Sequence, residues 1–255
     1  MNPVLNPPES ATLKAALQNF LKKGIPLPSK SAIAGAVIML TCFFFLGYEV
    51  NTQADWVAEF NATIAGSVQS LRTNELNPWI IMLTSLGNPT SVIIMVILIA
   101  SLLGFLRHWD DDIFFTGNLI GAVVLVQVLK LCYTIERPTE NLLIARPESF
   151  SFPSAHSACC LIMCCLVALL VIRALRAHQF SVGLEVLTWI VFIAIGLSIG
   201  ISRIYVGVHW PTDVLGGWLI ASAWLFPTIT WYLSQYPRSR FGLPHAQHEE
   251  HPVLP

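Results

Sequence analysis

Charge is what this sequence has least of. Asp, Glu, Lys and Arg make up 11% of its 255 residues, against 55% hydrophobic residues and a mean hydropathy of +0.64. Soluble domains carry roughly 25% charged residues. Half that share leaves too little polar surface to coat a water-soluble globule, and the composition equally excludes disordered, collagen-like and disulfide-scaffold chains. A basic excess is missing too. The 14 basic and 15 acidic residues give a net charge of −1, so no nucleic-acid partner is expected. The six cysteines, Cys42, Cys132, Cys159, Cys160, Cys164 and Cys165, all fall in or beside apolar stretches. They read as small residues packing between helices, not as a disulfide framework. No cofactor motif is visible, so none is expected.

What the chain has is apolar runs. They lie at Ala32–Tyr48, Ser91–Leu106, Ile113–Leu131, Ala155–Ile172, Val182–Ile201 and Val214–Leu233. Each is near the length of about 20 residues that crosses a hydrocarbon core as a helix. The expected fold class is therefore all-α: an integral membrane bundle of six transmembrane helices. The second run can begin earlier, at Trp79, with Gly87-Asn88-Pro89 marking a bend or a short interfacial piece. Glu185 is expected at headgroup depth. Between the first two runs, the pattern of Asn51–Asn77 suggests a surface helix, and Asn61-Ala62-Thr63 within it reads as a chance sequon. Before the first run, Ser10 can cap a short amphipathic N-terminal helix with Leu13, Leu17, Phe20 and Leu21 on one face. No cleavable signal peptide is expected, and no internal repeat or second domain is visible. The expected divisions are 1–30, an N-terminal segment with the interfacial helix; 31–235, the six-span domain; and 236–255, a polar tail.

The basic residues give an orientation. Lys14, Lys22, Lys23, Lys30, Arg107, Arg173, Arg176, Arg238 and Arg240 fall on one side, nine in all, against five on the other: Arg72, Lys130, Arg137, Arg146 and Arg203. Both termini are expected to be cytoplasmic.

Ionisable groups at span ends are costly and mark function by default. Lys130 and Arg137 follow the third span, and Arg203 ends the fifth. Of the seven histidines, His245, His248 and His251 lie in the tail, and His108 and His178 lie in loops on the cytoplasmic side. His156 opens the fourth span and His209 lies between the fifth and sixth. If the spans alternate as drawn, stretches 130–138, 153–156 and 202–213 meet on the outer face. Arg offers bidentate donors for an oxyanion and Lys a point charge. Pro153-Ser154-Ala155-His156 opens a helix whose free N–H groups point at the same anion, with the Ser154 hydroxyl beside them. A neutral imidazole can attack and a second can donate a proton. Asp213, four residues past His209 in the first turn of the next helix, can hold one ring nitrogen of His209 so that the other attacks. The inventory suits phosphoryl transfer, which needs positioning and charge stabilisation above all.

Taken together these residues resemble the type-2 phosphatidate phosphatase superfamily of membrane lipid phosphatases. Its signature reads here as Lys130-x6-Arg137-Pro138, Pro153-Ser154-Ala155-His156 and Ser202-Arg203-x5-His209-x3-Asp213. The flanks Phe150-Ser151-Phe152, Asp213-Val214-Leu215-Gly216-Gly217 and Leu83-Thr84-Ser85-Leu86-Gly87 are similar to the family as well. Ala155 stands where the family usually has Gly, which is easily accommodated if the residue is already in the helical first turn. The resemblance implies that Lys130, Arg137, Arg203, Ser154 and the Ala155 and His156 backbone hold phosphate. It further implies that His209 attacks phosphorus to form a phosphohistidine, that His156 protonates the leaving oxygen, and that Asp213 orients His209, without a metal. The expected enzyme is a phosphoric monoester or diphosphate hydrolase at the outer face of the cytoplasmic membrane. Candidate substrates are undecaprenyl diphosphate, phosphatidylglycerol phosphate, phosphatidate and lipid A phosphate. Two alternatives share the pocket: a lipid phosphotransferase, and a transporter or lipid-binding membrane protein without turnover.

Overall fold

The computed structural model describes residues 28–235, and all regular structure among them is helical. The helices are α1 (Lys30–Asn51), α2 (Asp55–Gln69), α3 (Leu76–Ser85), α4 (Pro89–Phe105), α5 (Trp109–Tyr133), α6 (Ala155–Ala177), α7 (Val182–Tyr205) and α8 (Pro211–Gln235). Five of them, α1, α5, α6, α7 and α8, are each long and apolar enough to cross a membrane. Helices α3 and α4 pass the same test only as a pair, bent by 55° at the break between them. The bend expected at Gly87-Asn88-Pro89 is present, and the span count is five, or six with the bent pair. The expected surface helix is α2. The proposed N-terminal amphipathic helix and the tail lie outside the described residues.

Helix α6 is the hub. It packs against α5, α7 and α8, while α1 lies along α8 and α4 along α5. Its small side chains allow this. Ala158, Cys159, Cys160, Cys164, Cys165 and Ala168 are all buried, and the cysteines are free. Small residues let helix backbones approach closely where no hydrophobic effect separates helix from lipid. One close approach is at Gly217 of α8. A Cβ there would stand 2.7 Å from the Ser154 carbonyl oxygen and 2.8 Å from Ser157 Cβ. Around this hub the outward faces are apolar: Phe45, Ile93, Leu98, Phe105, Leu131 and Ile190 are all exposed. Water would not tolerate such a surface, and a bilayer requires it. The chain is an integral membrane protein.

Buried charge collects at the two ends of the bundle. At one end Arg173 and Tyr232 bond the buried Asp111 carboxylate, the tyrosine hydroxyl at 2.9 Å. Glu185 lies 3.0 Å from Arg176 and is itself buried, so a protein partner, not a lipid headgroup, satisfies it. At the other end lie the C-termini of α5 and α7, the N-termini of α6 and α8, and the connection 134–154. Helix α2 closes this end over α7 and α8: Gln69 Nε2 donates to the Ile204 carbonyl at 3.1 Å and Arg72 Nε to the Tyr205 carbonyl at 2.8 Å. Asn61, the sequon residue, is buried, and its Oδ1 accepts the Thr212 N–H at 3.0 Å. It satisfies one of the free first-turn donors of α8.

Candidate active site

Three stretches far apart in sequence converge because four helices end at one level. Lys130 lies in the last turn of α5. Thr134 then takes the left-handed conformation (φ 50°) and turns the chain away from the helix axis, which leads it back to Arg137. The connection that follows is stitched to the site: Ser151 N–H donates to Ile135 O at 2.7 Å and Leu143 N–H to Val206 O at 3.0 Å. Pro153 ends it, after a cis peptide bond, and Ser154 starts α6.

His209 sits at the centre, 2% exposed. Its Nδ1 is 3.1 Å from Asp213 Oδ2, and its Nε2 is 2.9 Å from an Arg137 terminal nitrogen. A guanidinium can only donate, so Nε2 accepts and the ring proton is on Nδ1, facing the carboxylate. Burial, reinforced by the nearby Arg137, Lys130 and Arg203 charges, holds the His209 pKa well below its ordinary value. The imidazole is neutral, with its lone pair on Nε2.

Asp213 holds this arrangement by capping its own helix. It is the third residue of α8, and its Oδ2 accepts the Trp210 N–H at 2.8 Å. That is the reach-back half of a capping box. The same oxygen accepts a hydrogen bond from Ser151 Oγ, which lies 3.3 Å from His209 Nδ1. Ser151 is fully buried. Nothing in the sequence marked its role, which depends on a contact 62 residues away.

A cavity of about 530 Å³ opens beside His209. Lys130, Arg137, Arg203, His156 and His209 line it, and no acidic residue among the described ones does. The positive charge suits an anion. Lys130 Nζ donates to the Phe150 and Ser151 carbonyls at 2.5 and 2.9 Å. Arg137 donates to the Ser149 carbonyl at 2.6 Å and to the Val208 carbonyl at 2.8 Å. Arg203 is engaged less fully. One terminal nitrogen reaches Thr84 Oγ1 at 2.8 Å, and its buried Nε has no partner among the described residues. A buried guanidinium N–H without an acceptor is costly, and an oxyanion in the cavity is the group that would satisfy it.

Ala155 is the first residue of α6, in helical conformation, so no positive φ is demanded where the family usually has Gly. Ser154 differs from expectation. It is fully buried and is not among the residues lining the cavity. Its Oγ accepts from Ser157 N–H at 3.3 Å and from Ser157 Oγ at 2.9 Å. It serves as the N-cap of α6. Its carbonyl takes the Ala158 N–H, and the Ala155 and His156 N–H groups are left at the positive end of the helix. His156 Nε2 lies 3.2 Å from Asn88 Oδ1, a contact the sequence did not reveal.

The remaining walls include the polar Ser85, Gln127 and Ser149 and the apolar Ile81, Pro89, Val92, Val123 and Ile144. Val123 is seven residues below Lys130 on α5, about 10 Å deeper at 1.5 Å per residue. The cavity therefore joins a cationic upper part to an apolar lower part between α4 and α5.

Residues 115–237 match the family model described as the PAP2 superfamily, a stretch that holds all three signature parts. The chain is 28% identical to phosphatidylglycerophosphatase B of Bacillus subtilis over 186 residues, 71% of this chain and 86% of that protein. It is 31% identical to an undecaprenyl-diphosphatase of Sulfolobus acidocaldarius over 128 residues, 48% of this chain and 56% of that one. In fold it matches the crystal structure of the transmembrane PAP2-type phosphatidylglycerolphosphate phosphatase from Bacillus subtilis. That match has a TM-score of 0.65 and 24% identity over 76% of this chain and 94% of the other. Residues 115–237 thus form a PAP2-superfamily domain, and the chain is a membrane-embedded phosphoric ester hydrolase.

Proposed function

We propose that this enzyme hydrolyses a lipid phosphate or diphosphate through a phosphohistidine on His209. The observation that carries the reading is the hydrogen bonding of His209: its lone pair is on Nε2, facing the cation-lined cavity, and its Nδ1 proton is held by Asp213. The substrate phosphate enters between Arg137 and Nε2, takes Arg137 N–H groups as its own donors, and frees the lone pair. Lys130, Arg137, Arg203 and the Ala155 and His156 N–H groups surround its oxygens. Nε2 attacks phosphorus. As the P–N bond forms, the bond to the lipid oxygen breaks, and His156 gives that oxygen a proton. Water then attacks the phosphohistidine, His156 takes its proton, and phosphate leaves with Nε2 restored. Three protein cations supply the charge stabilisation, so no metal is invoked.

The substrate is a membrane lipid because the apolar lower half of the cavity continues from the phosphate subsite toward the hydrocarbon core. The two named relatives act on a phosphatidylglycerophosphate and an undecaprenyl diphosphate by their names, which supports this class. We place the site on the outer face of the cytoplasmic membrane, since nine of the 14 basic residues fall on the other side. The test is phosphate release by purified protein in detergent from a panel of the four candidate lipids, with chelator present. At least one lipid is turned over by the wild type and by none of the His209→Ala preparations. Wild-type release by His209→Ala overturns the nucleophile, and abolition by chelator overturns the metal-free mechanism. Transfer to a lipid acceptor without phosphate release would make the enzyme a phosphotransferase.

A further inference from the structure

The break between α3 and α4 touches the site twice. Thr84, in the last turn of α3, accepts the Arg203 hydrogen bond. Asn88, four residues on, is the N-cap residue of α4. An N-cap Asn normally turns its side-chain oxygen onto the N–H of the second or third helical residue. Asn88 makes no such bond; its Oδ1 is 3.2 Å from Nε2 of His156. The break is fitted to this contact. A Cβ on Gly87 would lie 2.7 Å from His156 Cδ2 and 2.9 Å from Cys160 Sγ, so only glycine lets the chain lie against the imidazole. Ser91 Oγ ties the two helices across the break by donating to Ser85 O at 2.7 Å. Asn88 and His156 both line the cavity.

We propose that Asn88 is a positioning residue for His156: its carboxamide oxygen holds Nε2–H and leaves Nδ1 to exchange the proton with the reacting oxygens. The arrangement mirrors His209, where the carboxylate holds Nδ1 and Nε2 reacts. In the first step the Nδ1–H of the imidazolium passes to the lipid oxygen as its bond to phosphorus breaks, while Nε2–H stays on Asn88. In the second, the Nδ1 lone pair takes the proton of the attacking water. Without Asn88 the ring can rotate, and the proton is delivered from the wrong place.

This inference rests on His156 as the proton donor, and the test separates the two. A lipid phosphate, whose alkoxide must be protonated as it leaves, is compared with p-nitrophenyl phosphate, whose leaving group departs unaided. The full-length protein in detergent is assayed as wild type, His156→Ala, Asn88→Ala, Asn88→Ser and Asn88→Asp. His156→Ala slows phosphoenzyme formation, read in a single turnover, about 100-fold or more on the lipid, in the range of general acid catalysis, and far less on the aryl ester, while breakdown of the shared phosphohistidine slows equally after either substrate. Asn88→Ala slows phosphoenzyme formation from the lipid about 10-fold with KM within about twofold, slows it far less from the aryl ester, slows breakdown of the phosphohistidine alike after both, and adds no loss in the His156→Ala background. Asn88→Ser can cap α4 but is too short to reach the imidazole, so it keeps the fold and shows the same selective loss. Asn88→Asp keeps an acceptor oxygen in place and retains lipid activity within a few-fold. Equal losses on both substrates in the phosphoenzyme-forming step, or a loss additive with His156→Ala, overturn the role of Asn88. If His156→Ala itself shows no dependence on the leaving group, the proton-donor reading falls and this inference with it.

Discussion

His209 is held at both ring nitrogens, at 3.1 Å by Asp213 and at 2.9 Å by Arg137. One partner can only accept and the other can only donate, so the pair fixes the tautomer without a competing alternative. Asp213→Asn leaves the shape intact but offers an amide that can present either atom to Nδ1. By the logic of an orienting aspartate, kcat falls by about 10³-fold or more. Rapid quench with a ³²P-labelled lipid phosphate would read this as a loss of the acid-labile phosphoenzyme. An unchanged burst amplitude with Asp213→Asn would show that Asp213 does not orient the nucleophile.

Stability depends on pH through the same ring. Burial and the neighbouring cations hold the folded His209 pKa well below the ordinary value, which is about 6.5. Below pH ~6.5 the unfolded chain binds a proton that the folded chain refuses, so stability falls as pH drops from about 7 toward the depressed folded value. His209→Gln removes this titration. Thermal midpoints in detergent between pH 7.5 and 5 fall for the wild type and fall less steeply for the variant. Parallel slopes would mean that His209 takes up its proton without unfolding.

Gly217 brings α8 onto the N-terminus of α6. Gly217→Ala gains up to about 1 kcal/mol in helix propensity. Against this, the new Cβ meets the Ser154 carbonyl at 2.7 Å, a backbone atom that cannot rotate away. Overpacking of this kind costs about 1–3 kcal/mol, so the clash wins. The variant melts several degrees lower and loses activity, because Ser154 N–H bonds the Asp213 carbonyl at 3.0 Å and the two helix ends move together. A melting point at or above that of the wild type would show that α8 slides without cost.

The apolar lower part of the cavity gives a test of substrate class. Val123→Trp adds bulk about 10 Å below Lys130 and touches none of the charged groups. The kcat/KM for a long-chain lipid phosphate drops by about tenfold or more, a barrier increase of roughly 1.4 kcal/mol. Hydrolysis of a water-soluble short-chain phosphate stays near the wild-type rate. Equal effects on both would place the lipid chain elsewhere.

Composition alone determined that the chain belongs in a bilayer, because too few charges remain to coat a soluble surface. Hydropathy placed the helices within a few residues of their bounds, and the break at Gly87-Asn88-Pro89 was legible in its turn residues. The spacing of Lys130, Arg137, His156, Arg203, His209 and Asp213 was legible as a candidate phosphate site because chain order and helix alternation put all of them at one end of the bundle. Only the tertiary structure decided how each group is used. Ser154 turned inward as a helix cap because a serine ahead of a helix satisfies its own first-turn N–H. Ser151 joined Asp213, Asn88 joined His156 and Asn61 joined Thr212 through contacts 62, 68 and 151 residues apart. No local pattern encodes such contacts. They exist because small residues let α6, α7 and α8 close to van der Waals distance, and that closeness brings neutral polar side chains within reach of the proposed catalytic groups.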